Sequence, residues 1–147
     1  MENFDSLFEE AVQLLRDLIE IPSFSKEEIK TADRITDFLS QKEFRVNRSG
    51  NNIWAFASEY NPVLQNVWLN SHHDTVKPNS GYTKNPHQAI NEEGKLFGLG
   101  SNDAGGPLVS LIACFCHFIG KPLPFNLLLI ASAEEEISGA NGISSII

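Results

Sequence analysis

VWLNSHHDTV, residues 67–76, decides how the rest of the chain is read. Val67-Trp68-Leu69 is a short, almost wholly apolar run, as expected for a central strand rather than an exposed edge, and it opens directly into His72, His73 and Asp74. A second stretch has the same form. Phe125 to Ala131 reads as an interior strand whose exit carries AEEEISG, residues 133–139. Ligand-capable side chains at the exits of two strands fit the rule that open α/β sheets hold their ligands beyond the carboxyl ends of the strands.

Outward from these two strands the chain alternates helices and strands. Leu7, Phe8, Ala11, Leu14, Leu15, Leu18 and Ile19 recur at the spacing of one buried helix face, with Ser6 and Glu9 as a capping box and Pro22 after its end. Ser25 and Glu28 repeat the box, and Phe24 and Ile29 occupy the positions of a hydrophobic staple, so a second helix should run through Ile35, Phe38 and Leu39. A Gly50-Asn51-Asn52 turn separates a strand over 44–48 from one over 53–57, and residues 90–98 read as a small hairpin through Glu93-Gly94. Residues 98–106, GLGSNDAGG, form a flexible loop, and Pro107 to Ile119 reads as a buried helix stopped by Gly120 and Pro122. The order implies an α/β layer fold, a sheet with helices over it. The pattern leads to the expectation that further strands complete the sheet beyond Ile147.

Composition narrows the function. Eleven Lys plus Arg against 19 Asp plus Glu give a net charge of −8, which repels nucleic acid and anionic lipid. The longest apolar stretches are shorter than the roughly 20 residues needed to cross a bilayer, and the acidic N-terminus lacks a signal peptide's basic start. A soluble cytoplasmic protein is the expectation. Cys114 and Cys116 lie in an apolar segment without a CxxC pattern and read as buried thiols.

Three segments carry chemistry. His72 offers an imidazole for zinc or cobalt, and the adjacent Asp74 carboxylate can fix its tautomer. His73 has the same side chain with room to point away, and neither His87 nor His117 has a carboxylate partner in sequence. The glycine-rich loop lacks the GxGxxG spacing and the P-loop ending, so Asp103 reads as an anionic ligand able to bridge two divalent ions. Glu134, Glu135 and Glu136 repel one another unless a cation, a proton or solvent relieves them. Taken singly, these segments also describe a polar loop, a turn capped by Asp103 and a solvated acidic helix start. Their concurrence favours a metal site.

With these segments, SHHDTVKP, GKLFGLGSND and SAEEEISG in that order, the sequence resembles the co-catalytic zinc aminoacylase and carboxypeptidase family, which includes acetylornithine deacetylases, succinyl-diaminopimelate desuccinylases and related peptidases. The resemblance implies that residues 1–147 are the N-terminal part of a zinc-exopeptidase-like catalytic domain, a mixed sheet flanked by helices, with the remainder and a lid or dimerisation domain absent. It implies that His72, Asp103 and Glu136 are metal ligands, with Asp103 bridging, that Asp74 orients His72, and that Glu135 is the general base and acid. The cofactors would be two divalent ions, zinc or cobalt first and manganese next. The Asp103–Ala104 peptide would be cis. The substrate would be an N-acylated amino acid, N-acetylornithine first, with N-succinyl amino acids and short peptides as alternatives, and a homodimer would need the absent domain. The chain departs from the family at Gly105, where a lysine is common, and at Glu134, where an aspartate is common. The 147 residues alone are expected to be inactive, because a later carboxylate and histidine complete the family's two coordination spheres.

Overall fold

A computed structural model describes residues 4–147; the reading of the extreme N-terminus, residues 1–3, lies outside it. The elements are α1 (Phe4–Glu20), α2 (Ile29–Gln41), β1 (Val46–Ser49), β2 (Asn52–Phe56), β3 (Asn66–His72), β4 (Ile90–Glu92), β5 (Lys95–Phe97), α3 (Gly106–His117) and β6 (Asn126–Ser132). The main sheet has the order β1-β2-β6-β3, and β4 and β5 form the separate hairpin expected from Glu93-Gly94. β1–β2 and β2–β6 are antiparallel while β3–β6 is parallel, so the sheet is mixed.

The three helices share one apolar cluster with one face of the sheet. Leu14, Ile35, Leu39, Leu108, Ile112 and Phe115 meet Ile53, Ala55, Leu127 and Leu129 there. Each of these large aliphatic or aromatic side chains contributes about 1.5–3 kcal/mol by leaving water. On the opposite face Leu128 and Ile130 are buried beside Trp54, Phe56 and Trp68 of the neighbouring strands. Every residue of β6 is buried, as an interior strand requires. No described helix is long and apolar enough to cross a membrane.

Five expectations need correction. Cys114 is exposed, and of the two cysteines Cys116 alone is a buried thiol. Among the described residues β3 pairs with β6 alone and Val67 and Trp68 are exposed, where two neighbours were expected. An apolar run reports that a strand is hydrophobic, not how many neighbours it has. Ser6 already lies inside α1, so Ser6 and Glu9 do not cap its start. Phe8 is 68% exposed, at the margin of the stripe that buries Leu7, Ala11, Leu14, Leu18 and Ile19. Finally, Ser25 and Glu28 form no capping box. α2 starts at Ile29 without a side-chain cap, and the staple is unmade, since Ile29 is exposed and Phe24 packs edge-on against the His87 ring.

The parallel pairing of β3 and β6 positions the site. Its register sets His72 beside Ser132, so two exits that lie sixty residues apart in sequence open side by side. The segment 101–105, a kinked turn leading into α3, approaches the same edge, where the Ser71 hydroxyl donates to the Ala104 carbonyl at 3.3 Å.

Candidate metal centre

His72 is buried at the end of β3. Its Nδ1 lies 3.0 Å from the Asp74 carbonyl oxygen and 3.3 Å from Asp74 Oδ1, both acceptors, so Nδ1 carries a proton and Nε2 is turned outward. Nε2 stands 3.1 Å from Asp103 Oδ1 and 3.6 Å from Glu135 Oε2. The hydrogen bond to the Asp74 side chain raises the imidazole pKa to about 9, against the opposing effect of burial.

Asp74 is wholly buried and fully engaged. Ser25 Oγ donates to its Oδ2 at 2.7 Å, and the backbone N–H groups of Glu135 and Glu136 donate to Oδ1 and Oδ2, both at 3.1 Å. Burial pushes this carboxyl upward, but hydrogen bonds from His72, Ser25, Glu135 and Glu136 outweigh it and hold the pKa down to about 2. Ser25, which in the sequence spells a helix cap, is thus part of the site's support.

The glycine-rich loop brings Asp103 to this ring. The Asp103–Ala104 peptide is cis. A Cβ on Gly105 would stand 2.7 Å from the Gly100 carbonyl oxygen and 2.8 Å from a Leu15 methyl, so a side chain there would force the loop backbone to shift. His72, Asp103 and Glu136 each offer a ligand atom, all within 4.8 Å of one another. Partial burial and then the Asp103 carboxylate raise the Glu136 pKa. One imidazole nitrogen and two mutually repelling carboxyl groups form a donor set that fits a divalent cation.

The three consecutive glutamates separate. Glu135 is exposed and faces His72, Glu136 joins the ligand set, and Glu134 is buried and turns away. Glu134 adopts a left-handed backbone, φ 52°, and its carboxyl accepts from the N–H and side-chain amide of Asn141. Gly139 packs so closely that a Cβ there would meet a Glu134 oxygen.

His73 does point away. Its Nε2–H donates to the Asn51 carbonyl and its Nδ1 faces the Thr31 hydroxyl, both at 2.9 Å, and burial lowers its pKa. His87 and His117 lie outside the cluster, on Phe24 and on Phe4 and Lys121 respectively. Sequence reasoning passed over Glu28, Asn51 and Asn52 as well as Ser25. Of these, Asn52 is buried, accepting from the Ala133 N–H at 2.9 Å and donating to the Asn141 carbonyl at 2.6 Å. The available signal was a polar pair at a turn, which local reading assigns to the turn itself.

Comparison with known proteins agrees with this geometry. The family model described as peptidase family M20/M25/M40 matches residues 68–147, more than half of the chain. A probable succinyl-diaminopimelate desuccinylase of Staphylococcus aureus is 29% identical over 142 residues, covering 89% of this chain and 35% of the relative. A succinyl-diaminopimelate desuccinylase of Blochmanniella floridana is 27% identical, covering 96% and 39%. The chain thus spans little more than a third of the length of these relatives. Among solved structures, human carnosine dipeptidase 1 superposes with a TM-score of 0.74 at 21% identity, covering 94% of this chain and 35% of that one. A dinuclear metal-binding M20 peptidase of Bacillus subtilis gives 0.67 at 17% identity, covering 94% and 38%. These two likenesses establish the fold.

Proposed function

The chain belongs to peptidase family M20/M25/M40, and from that premise we propose that it is the N-terminal part of the catalytic domain of a metal-dependent hydrolase cleaving the amide bond of an N-acyl amino acid. The observation that carries the reading is the convergence of His72, Asp103 and Glu136 within 4.8 Å at two adjacent strand exits, with Glu135 beside them. An N-succinyl amino acid is preferred to N-acetylornithine as the substrate, because the relatives cited above are named for desuccinylation.

In this proposal His72 presents Nε2 as ligand while Asp74 fixes the ring through Nδ1–H. Asp103, as the ligand shared between ions, and Glu136, as the further ligand, would hold divalent metal with His72. Bound divalent ions, zinc or cobalt first and manganese next, would supply Lewis-acid chemistry at this point. Glu135 accepts the proton of the attacking water and delivers it to the departing amine. The water oxygen goes to the acyl carbon, the C–N bond breaks, and a carboxylate and a free amino acid leave.

The test is release of free amine from N-succinyl-L,L-diaminopimelate, N-acetylornithine and a dipeptide by the full chain supplied with Zn2+ or Co2+. Glu135→Gln is expected to lower turnover by at least about 100-fold while metal binding persists. An unchanged rate would refute the role given to Glu135, and a higher kcat/KM on N-acetylornithine would reverse the substrate order. For the 147 residues taken alone, a non-catalytic state is the second reading, favoured by their span of 35% of the Staphylococcus relative. Turnover by those 147 residues would exclude it.

A further inference from the structure

Glu28 is a buried acidic side chain that the proposed chemistry leaves unused. It is 0% exposed at the start of α2, yet it does not cap that helix. Its Oε1 accepts the N–H of Lys26 at 2.7 Å and the N–H of Glu134 at 3.1 Å, and its Oε2 accepts the side-chain amide of Asn51 at 2.8 Å. No salt bridge to Lys or Arg accompanies it among the described residues.

We infer that Glu28 is a positioning residue for the metal centre, holding the backbone at Glu134 so that Glu135 and Glu136 are presented to His72. The inference rests on the metal-site reading above. Three successive N–H groups follow the end of β6, and each ends on a buried carboxyl: Glu134 on Glu28, Glu135 and Glu136 on Asp74. The first of these residues is left-handed, a conformation that costs a non-glycine residue free energy and persists only where its surroundings hold it. Glu134 is held on each side: its N–H by Glu28, its carbonyl by the Gly139 N–H at 2.9 Å, its carboxyl by Asn141. That reversal turns the chain from the strand direction into the site. When the Asn51 amide no longer holds the second oxygen of residue 28, the first oxygen is drawn away from the buried Glu134 N–H, the reversal relaxes, and Glu136 moves away from Asp103 and His72. Asn51 links the device to His73, whose Nε2–H is bound by the Asn51 carbonyl, so the start of β2 and the start of α2 grip the β6 exit together.

The test compares the parent chain with Glu28→Gln, and with Glu28→Gln combined with Asn51→Asp. The glutamine amide in the single variant keeps one acceptor oxygen but sets its NH2 group against the Asn51 amide, two donors face to face. Adding Asn51→Asp restores a donor–acceptor pair with the charge moved across. Glu28→Gln is expected to weaken Co2+ binding by about tenfold and to alter the visible Co2+ spectrum. The double variant should bring both back towards the parent. A folded Glu28→Gln chain with parental affinity and spectrum would overturn the inference, as would a double variant no better than the single one. Should Glu28→Gln fail to fold, Asn51→Ala decides by the same two readouts, weaker binding supporting the inference and parental binding overturning it.

Amide hydrogen exchange in the metal-free chain separates this inference from the metal reading. Glu134, Glu135 and Glu136 should exchange at least about tenfold faster in Glu28→Gln than in the parent, above any change in the core strands. If the parent binds no Co2+ and exchange still responds in this way, the metal reading fails and the positioning stands. If Co2+ binds through His72, Asp103 and Glu136 and exchange at 134–136 is unaltered, the positioning fails and the metal reading stands.

Discussion

Asp74 and Asp103 are two carboxyl groups on opposite sides of one imidazole, and they are built differently. Asp74 is 0% exposed and gathers donors from Ser25, Glu135, Glu136 and His72. The Asp103 side chain is 77% exposed and, among the described residues, meets His72 Nε2. The first is part of the architecture: it stitches the β3 exit to the β6 exit and would stand without a cation. The second has surrendered little water and holds its capacity for a ligand. The fold thus prepares one side of the centre in advance and leaves the other to be completed by a positive charge.

The largest effect should come from the buried side. Asp74→Ala strands two backbone N–H groups, a hydroxyl and the His72 ring, and is expected to destabilise the metal-free chain by about 3 kcal/mol in urea unfolding. Asp103→Asn should separate function from folding. Metal-free stability is expected to stay within about 0.5 kcal/mol of the parent, while Co2+ binding weakens at least about tenfold, measured by titration. Equal destabilisation by the two variants would break the contrast.

The pH dependence sharpens the same comparison. His72 is raised from 6.5 to about 9, so its contribution to stability is complete below pH 6.5 and is lost as pH rises through about 9. Asp74 is lowered from 3.8 to about 2, so its contribution is complete above pH 3.8 and is lost as pH falls through about 2. From this pair the metal-free chain should be most stable between those limits, pH 3.8 and 6.5. Unfolding free energy measured from about pH 6 to about pH 10 should decline in the parent and in Asp103→Asn, and the decline should disappear in Asp74→Asn. A decline that survives Asp74→Asn would place its origin elsewhere.

The sheet and its helices were largely legible because they are written in local patterns. The period of Leu7, Ala11, Leu14 and Leu18 and the apolar run Leu127 to Ala131 inside β6 need no knowledge of distant partners. Phe8 and Ile29 were misread because a stripe's margins and a staple's docking depend on what packs there. His72, Asp103 and Glu136 were named from three separated segments, and the structure brings the three together; the resemblance, rather than spacing alone, had supplied their roles. Ser25 and Glu28 were the instructive miss. As letters they spell a helix cap, and a hydroxyl and a carboxyl serve a cap or a remote partner equally well. Only the arrival of Asp74 and Glu134 beside them decides which.

By itself the sequence determined the order of helices and strands, the acidic surface and the inventory of donors at two strand exits, because these follow from side-chain chemistry and short-range periodicity. The tertiary structure decided that β3 and β6 run parallel with His72 beside Ser132, and that Glu134 turns inward while Glu135 and Glu136 face the imidazole. Those outcomes depend on hydrogen bonds between segments up to about a hundred residues apart, Glu28 to Glu134 the longest-range bond on this buried carboxyl, and such pairings are fixed when the chain closes its core, by partners that no local window contains.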